Sequence, residues 1–447
     1  MPNVLRPALL LTATLAAACA SPPVQHGGFV DGTGDSPATF EFPPPPPDSF
    51  DASAPPAVDR GRELLVTDRA VLTAARIDSA VATAPWSFRH LMESLAAASA
   101  TDVSTFVSDW LATWQASSAG ATEGSLPLDA RADVQKDLVC PWLRLTPENG
   151  CDETCAQCTS SKLDLAKAPF RLLAIVNRLD LAETQTGCKP EASEGRLVFV
   201  AMRPGTTTPL SFNAIFEYAV NGTPAGDPAA WHALGSLSGD AYAASLEKLT
   251  RSFTDKALLA QLRTSENLAG TAWELRQFAH RTGKLLPTAL TNTVKDSLDG
   301  TPELAAHVNA HSSSIFAGDN AVPPELSTAV STMPTADFKW TSANADFTSL
   351  HLFGLSTCNG CHAGERGDTQ VLPFAHIGLD ANGATLLSRF LSDPSAPEND
   401  ELAFRGRSLG RRLSGQCGAP EASYGGRHGF GGKGGLPDRG ASVGRVH

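Results

Sequence analysis

The sequence predicts an α+β fold: a helical N-terminal layer, a central antiparallel-rich sheet with helices, and a C-terminal helical segment of haem c type. Three observations predict it. Val103, Phe106, Val107, Trp110, Leu111 and Trp114 recur at helical spacing and make a broad apolar stripe. Residues 170–177, 197–202 and 211–220 are apolar or β-branched runs; the last two flank a loop holding Pro204, Gly205 and Pro209, the signature of an antiparallel pair. Cys358-Asn359-Gly360-Cys361-His362 is a C-x-x-C-H motif, the pattern of covalent c-type haem attachment.

In chain order, residues 1–19 read as a lipoprotein signal peptide. Arg6 is the positive flank, residues 8–18 are an apolar stretch too short for a stable span, and Leu15-Ala16-Ala17-Ala18-Cys19 resembles a lipobox. The resemblance implies cleavage before Cys19 and lipidation of its thiol. An ordinary cleavage site releasing a soluble protein is the other reading. A lipid anchor attaches a protein to a membrane without crossing it. Ala20 after the cysteine favours the outer membrane by the same resemblance, so the expected location is an outer-membrane or cell-surface lipoprotein facing the periplasm or the exterior.

Residues 20–60 form a Pro-rich disordered tether with five consecutive prolines, Pro43 to Pro47. An α+β domain is expected over 61–340. Its helices are predicted over 69–82, from Pro85 with Phe88, Leu91, Met92 and Leu95 on one face, and from Thr101 to Trp114. The two tryptophans read as core packing rather than a ligand wall. Cys151, Cys155 and Cys158 lie in a dense loop, where disulfides are expected over a metal site completed by Cys140 and Cys188. Asn177, Asp180, Glu183, Glu194 and Glu217 read as solvated strand ends, with a cation site or acid–base pair as the sharper alternative. Helices are predicted over 231–253, 258–269 and 271–280, a strand over 285–294, and a helix over 302–311, where His307 and His311 share a face: surface histidines are expected there, since no third ligand is evident, with a metal pair as the alternative.

Residues 341–415 form the cytochrome c-like segment. A helix over 345–354 leads in, with Leu350 and Phe353 directed to the ring. Cys358 and Cys361 would each form a thioether with one porphyrin, and His362 would ligate the iron. No methionine follows His362. The downstream candidate for the second axial position is His376, with Phe374 and Ile377 as apolar walls; Met333 or an open position remains if His376 does not ligate. A helical face of Leu386, Leu387, Phe390 and Leu391 is expected to close the pocket. Arg405, Arg407, Arg411 and Arg412 read as solvated, with pairing to haem propionates as the alternative. Residues 416–447 form a Gly-rich disordered tail.

Nine cysteines, less Cys19, Cys358 and Cys361, leave Cys140, Cys151, Cys155, Cys158, Cys188 and Cys417 as disulfide candidates, an even remainder that suits an exported chain. The formal net charge of −12 argues against a nucleic-acid partner. The expected partners are a redox protein and, through the anchor only, a membrane.

Phe170-Arg-Leu-Leu-Ala-Ile-Val-Asn-Arg-Leu-Asp-Leu181, Glu194-Gly-Arg-Leu-Val-Phe199, Ile215-Phe-Glu-Tyr218, Trp273-Glu-Leu-Arg276 and His351 to His362 resemble a family of exported bacterial lipoproteins that end in a C-x-x-C-H haem-attachment segment. The resemblance spans roughly residues 170–391 and implies no activity. The expected function is electron transfer through one covalently bound haem c. Two alternatives stay open: a peroxidase-like haem enzyme with an open iron position, and a non-haem surface or binding lipoprotein with a Cys358–Cys361 disulfide.

Overall fold

An eight-stranded antiparallel sheet organises the chain. The structure is a computed structural model that describes residues 56–118, 127–184, 187–270, 273–288, 293–316, 322–323, 325–328, 330–331, 339–357, 360, 377–380, 382–387, 391 and 401–416. The signal, residues 20–55 of the tether, residues 417–447 of the tail, Cys19, Cys358, Cys361, His362, His376 and Cys417 lie outside them; Asp59 already caps a helical turn over Arg60–Leu64, so the fold begins inside the expected tether. All described residues belong to one compact unit, Ser53–His447. Among them, no helix is long and apolar enough to cross a membrane.

Two helices open the N-terminal layer: α1 (Phe88–Ala98) and α2 (Val103–Ala112). The side chain of Ser87 accepts from His90 N and that of Asp102 from Thr105 N, so each helix starts at its cap. That places the start of α1 after Pro85. The helix predicted over 69–82 shrinks to Ala74–Ile77. Asp68 and Asp78 each accept from the backbone N–H two residues on, and these local turns compete with the helix.

The sheet strands are β1 (Phe170–Arg178), β2 (Glu194–Met202), β3 (Pro209–Ala219), β4 (Leu259–Glu266), β5 (Trp273–Arg281) and β6 (Lys284–Thr288). Leu65–Val66 pairs outside β1, and β6 and Val330–Ser331 both pair with β5. The predicted β1–β3 strands and the added strand of β6 therefore form, the last shorter than 285–294. The segments 258–269 and 271–280, predicted as helices, are instead β4 and β5. Their Leu, Gln, Arg and Glu are good helix formers, but five Cα-paired positions from Leu262↔Phe278 to Glu266↔Glu274 tie them into the sheet. Pairing on both sides outweighs such weak intrinsic preferences.

Between β3 and β4 runs α3 (Gly239–Thr254), preceded by a short helix over Pro228–His232. The single helix predicted over 231–253 breaks at Leu237 and Ser238, both extended, after a 3-10 turn over Ala233–Ser236. Within that turn a Cβ on Gly235 would lie 2.2 Å from Glu63 Oε1, so glycine gives the buried carboxyl its space. One sheet face packs on α1, α2 and α3 in an aromatic core. Phe88 stacks on Phe170 with ring centroids 4.1 Å apart, and Trp110, Trp142, Phe199 and Phe216 surround it. Trp110 and Trp114 are fully buried there, as core residues.

A second, smaller core gathers α4 (Pro302–Ala310), α5 (Ser312–Phe316) and α6 (Phe347–Leu355) around Trp340 and Phe353. The last helix, α7 (Glu401–Leu413), packs Leu402 and Leu409 into the main core. The predicted 386–391 helical face is not formed as such: Thr385–Leu386 is a strand paired with Gly378–Leu379, and Leu386 is exposed. Phe390 lies outside the described residues.

Candidate functional site

The approach to the C-x-x-C-H motif is built by α6. Asp346 caps it by accepting from Ser349 N, and its inward residues Leu350 and Phe353 are buried against α4 and Trp340. Phe353 is fully buried between the rings of Trp340 and His307. These two side chains, predicted to face a ring, form the small core instead. The turn after α6 is pinned through one hydroxyl. Thr357 Oγ1 donates to Gly354 O and accepts from Trp340 Nε1 at 2.8 Å and from Gly360 N at 3.1 Å. That uses its full bonding capacity of one donor and two acceptor sites. Gly360, between the two motif thiols in sequence, is buried.

Thr357→Val keeps the shape but leaves Trp340 Nε1 and Gly360 N without this acceptor. It is expected to lower stability by about 1–3 kcal/mol. The thermal unfolding midpoint of the variant should fall accordingly; an unchanged midpoint would show that the hydroxyl does not hold the turn.

A second constellation lies on the sheet face opposite the aromatic core. Arg196 pairs in register with Glu217, and Glu217 with Gln261, so the three side chains form a row across β2, β3 and β4. Arg196 Nη2 lies 2.7 Å from Glu194 Oε2, and its Nη1 3.2 Å from Glu217 Oε1. Arg263 Nε lies 3.3 Å from Glu217 Oε2, to which Gln261 Nε2 also donates. At the end of β1, Arg178 grips Asp180 with Nε and Nη2, each bond 3.0 Å. Asn177 ties the strand to its neighbours, donating to Glu63 O and accepting from Leu179 N.

Neither reading made of these acids from the sequence describes them. They are not solvated ends: Asn177, Asp180, Glu183 and Glu217 are buried and Glu194 is half-buried. Nor do they gather around an open cation site, because arginines pair with each of the acids: Arg178 with Asp180, Arg411 with Glu183, Arg196 with Glu194, and Arg196 and Arg263 with Glu217. The arginines of α7 complete the arrangement. Arg405 pairs with Glu401, Arg411 with Glu183, and Arg412 donates to Leu179 O and Ser193 Oγ. Two of the four basic residues predicted to be solvated, Arg411 and Arg412, thus fasten α7 to the end of β1 and the turns beside it, while Arg405 is buried in a pair within α7. Burial is the main influence holding Arg405 down to a pKa of about 10, with Arg178 adding to it. Burial also raises the Glu194 carboxyl. It would raise Glu217 and Asp180 too, but Arg196 and Arg263 outweigh it at Glu217, Arg178 and Arg405 outweigh it at Asp180, and both lie below their ordinary values.

The segments 170–178, 194–199, 215–218 and 273–276 lie on β1, β2, β3 and β5. Each supplies charges to buried pairs, the β5 pair being Glu274 with Arg276, whose guanidinium also covers Trp114 at 4.8 Å. These charges thus hold the scaffold together.

Cys140–Cys155 and Cys151–Cys158 are disulfides, as preferred over a metal site, and Cys188 is disulfide-bonded as well. Among the described residues the only group of three metal-ligand types is Cys151, Cys155 and Cys158, and its sulfurs are committed to these bridges. His307 and His311 do share a face of α4, with ring centroids 4.4 Å apart. Burial, then the neighbouring His311, holds His307 below its ordinary value. No protein-family model, curated protein or solved structure matches the chain.

Proposed function

We propose that this chain is an exported, lipid-anchored protein that carries one covalently attached haem c and transfers electrons. The observation that carries the reading is the C-x-x-C-H sequence at 358–362. Cys358 and Cys361 would tether the porphyrin, His362 would ligate the iron, and His376 would take the second axial position. When bound, haem supplies a one-electron couple whose potential follows its axial ligands and burial.

The described approach fits such a group. Covalent attachment needs the two thiols presented from a fixed, tightly turned backbone. The saturated Thr357 hydroxyl, backed by Trp340, fixes the turn immediately before Cys358 and holds buried Gly360 through its N–H. Phe353 and Trp340 anchor this approach in the small core, so α6 is held by packing as well as by its cap. Export, with Cys19 as the lipidated residue, supplies the compartment in which such attachment takes place. The large sheet domain and its buried ion pairs provide a rigid body for docking a redox partner.

The test is a haem stain on denatured protein, made in a host that matures c-type cytochromes, with the intact mass measured in parallel. The expected result is a stain that survives denaturation, a mass increment of one haem, and loss of both in a C358A/C361A variant. A colourless mature protein with a Cys358–Cys361 disulfide would overturn the reading. A reduced-minus-oxidised spectrum of the stained protein then separates a six-coordinate carrier from a haem enzyme with an open iron position.

A further inference from the structure

His311 follows the last residue of α4, and its Nδ1 lies 2.9 Å from His307 O. A carbonyl only accepts, so the hydrogen is on Nδ1 and the Nε2 lone pair is free. A ring nitrogen fixed in this way by a backbone carbonyl is the usual state of a histidine metal ligand. One turn earlier, His307 is 9% exposed, and its Nε2 is buried with no hydrogen-bond partner. Phe353 backs that ring, edge-on, at 5.9 Å between centroids. The two imidazoles lie 4.4 Å apart at an interplanar angle of 32°. Their i and i+4 positions, on the last turn of α4 and at its C-cap, set the two rings side by side.

We propose that His307 and His311 form a binding site for a divalent transition-metal ion, ligated through the two Nε2 atoms. Two further features favour a cation here. The site is at the C-terminal end of α4, where unsatisfied carbonyls concentrate negative potential. The carboxylate of Glu325 is also near enough for its charge to act on His307. Imidazole selects Cu2+, Ni2+ and Zn2+ over Mg2+ and Ca2+. Among the described residues no third His, Cys, Asp or Glu ligand atom joins the pair. The site is distinct from the haem-attachment motif and does not depend on haem being present.

Full-length protein is titrated with Zn2+ by calorimetry, and its Cu2+ adduct is examined by pulsed EPR. Wild type is expected to bind Zn2+ at this site and to show two imidazole nitrogens on copper. His311 is exposed, so H311A should stay folded, with an unchanged circular dichroism spectrum. It is expected to weaken Zn2+ binding by roughly tenfold or more, on the scale of removing even an outer support of a metal site, and to leave one imidazole on copper. H351A, on α6, should bind as wild type. Equal Zn2+ affinity in wild type and H311A, or copper showing the same imidazole count in both, would overturn the site. Neither result bears on the haem stain, so the two proposals fail separately.

Discussion

Phe88→Ala is expected to destabilise the protein by about 3–5 kcal/mol, the range for deleting a fully buried aromatic ring. Phe88 is fully buried at the first turn of α1, where helix layer and sheet meet. Its ring stacks on Phe170 of β1 and meets Phe199 of β2 and Phe216 of β3 edge-on at 6.0 and 5.9 Å. Trp110 of α2 and Trp142 complete the shell. Removing the ring therefore opens a cavity whose walls are large, interlocked aromatics on different elements. Such a site collapses poorly, which places the loss at the upper part of the range. The comparison is Phe347→Ala, also at the start of a helix but 76% exposed, expected to change stability by no more than about 0.5 kcal/mol. Urea unfolding followed by tryptophan fluorescence checks both. Equal midpoints for the two variants would show that the stacked rings do not join the layers.

The parts of this core that were readable from the chain are those with a strong local signal. The stripe from Val103 to Trp114 and its Asp102 cap specify α2 without reference to anything else. The runs at 170–177, 197–202 and 211–220 are apolar and bounded by turn residues, and they form the greater part of β1, β2 and β3. Leu259–Glu266 and Trp273–Arg281 were misread because their composition is helical and the deciding contacts are the strands alongside. The need for glycine at 235 is equally invisible, since it depends on Glu63, far away in sequence, which occupies the space a Cβ would need.

The candidate sites divide in the same way. The C-x-x-C-H motif is a local pattern and is legible as such. The cysteine loop was legible from its density, although spacing alone could not give the pairing of Cys140 with Cys155. The charged face was not legible, because the role of an acid on a strand depends on register. Glu217 lies opposite Arg196 and Gln261 only because β2, β3 and β4 pair as they do. Arg405, Arg411 and Arg412 looked like a solvated basic helix, and only the docking of α7 shows them turned toward acids. A signal was present, since Glu194 and Arg196, and likewise Glu274 and Arg276, stand two positions apart. On a strand that spacing puts both charges on one face.

Glu217→Gln is expected to lower stability at pH 7 by about 3–5 kcal/mol, because it removes one partner from a buried charge network. The carboxylate is fully buried and faces two guanidiniums, those of Arg196 and Arg263. The variant leaves Arg263 without it and Arg196 with Glu194 alone. The pH dependence identifies the cause. Burial would raise the Glu217 carboxyl, but the two arginines outweigh it, so its native pKa lies below the ordinary 4.5. Its stabilisation is fully present above that ordinary value and is lost as pH falls through the native one. The gap between wild type and Glu217→Gln should therefore be widest at neutral pH and close in acid, where the wild-type side chain is itself neutral. Glu194 has the opposite sign. Burial holds its native pKa above the ordinary value, so its contribution is present below the ordinary value and lost as pH rises through the native one. Glu194→Gln should consequently cost less at pH 7 than Glu217→Gln, although both acids touch the same arginine. Chemical-denaturation midpoints of the three proteins, measured from neutral pH into acid, decide the matter. A gap for Glu217→Gln that does not change with pH would mean that packing, and not charge, fixes this row of the sheet.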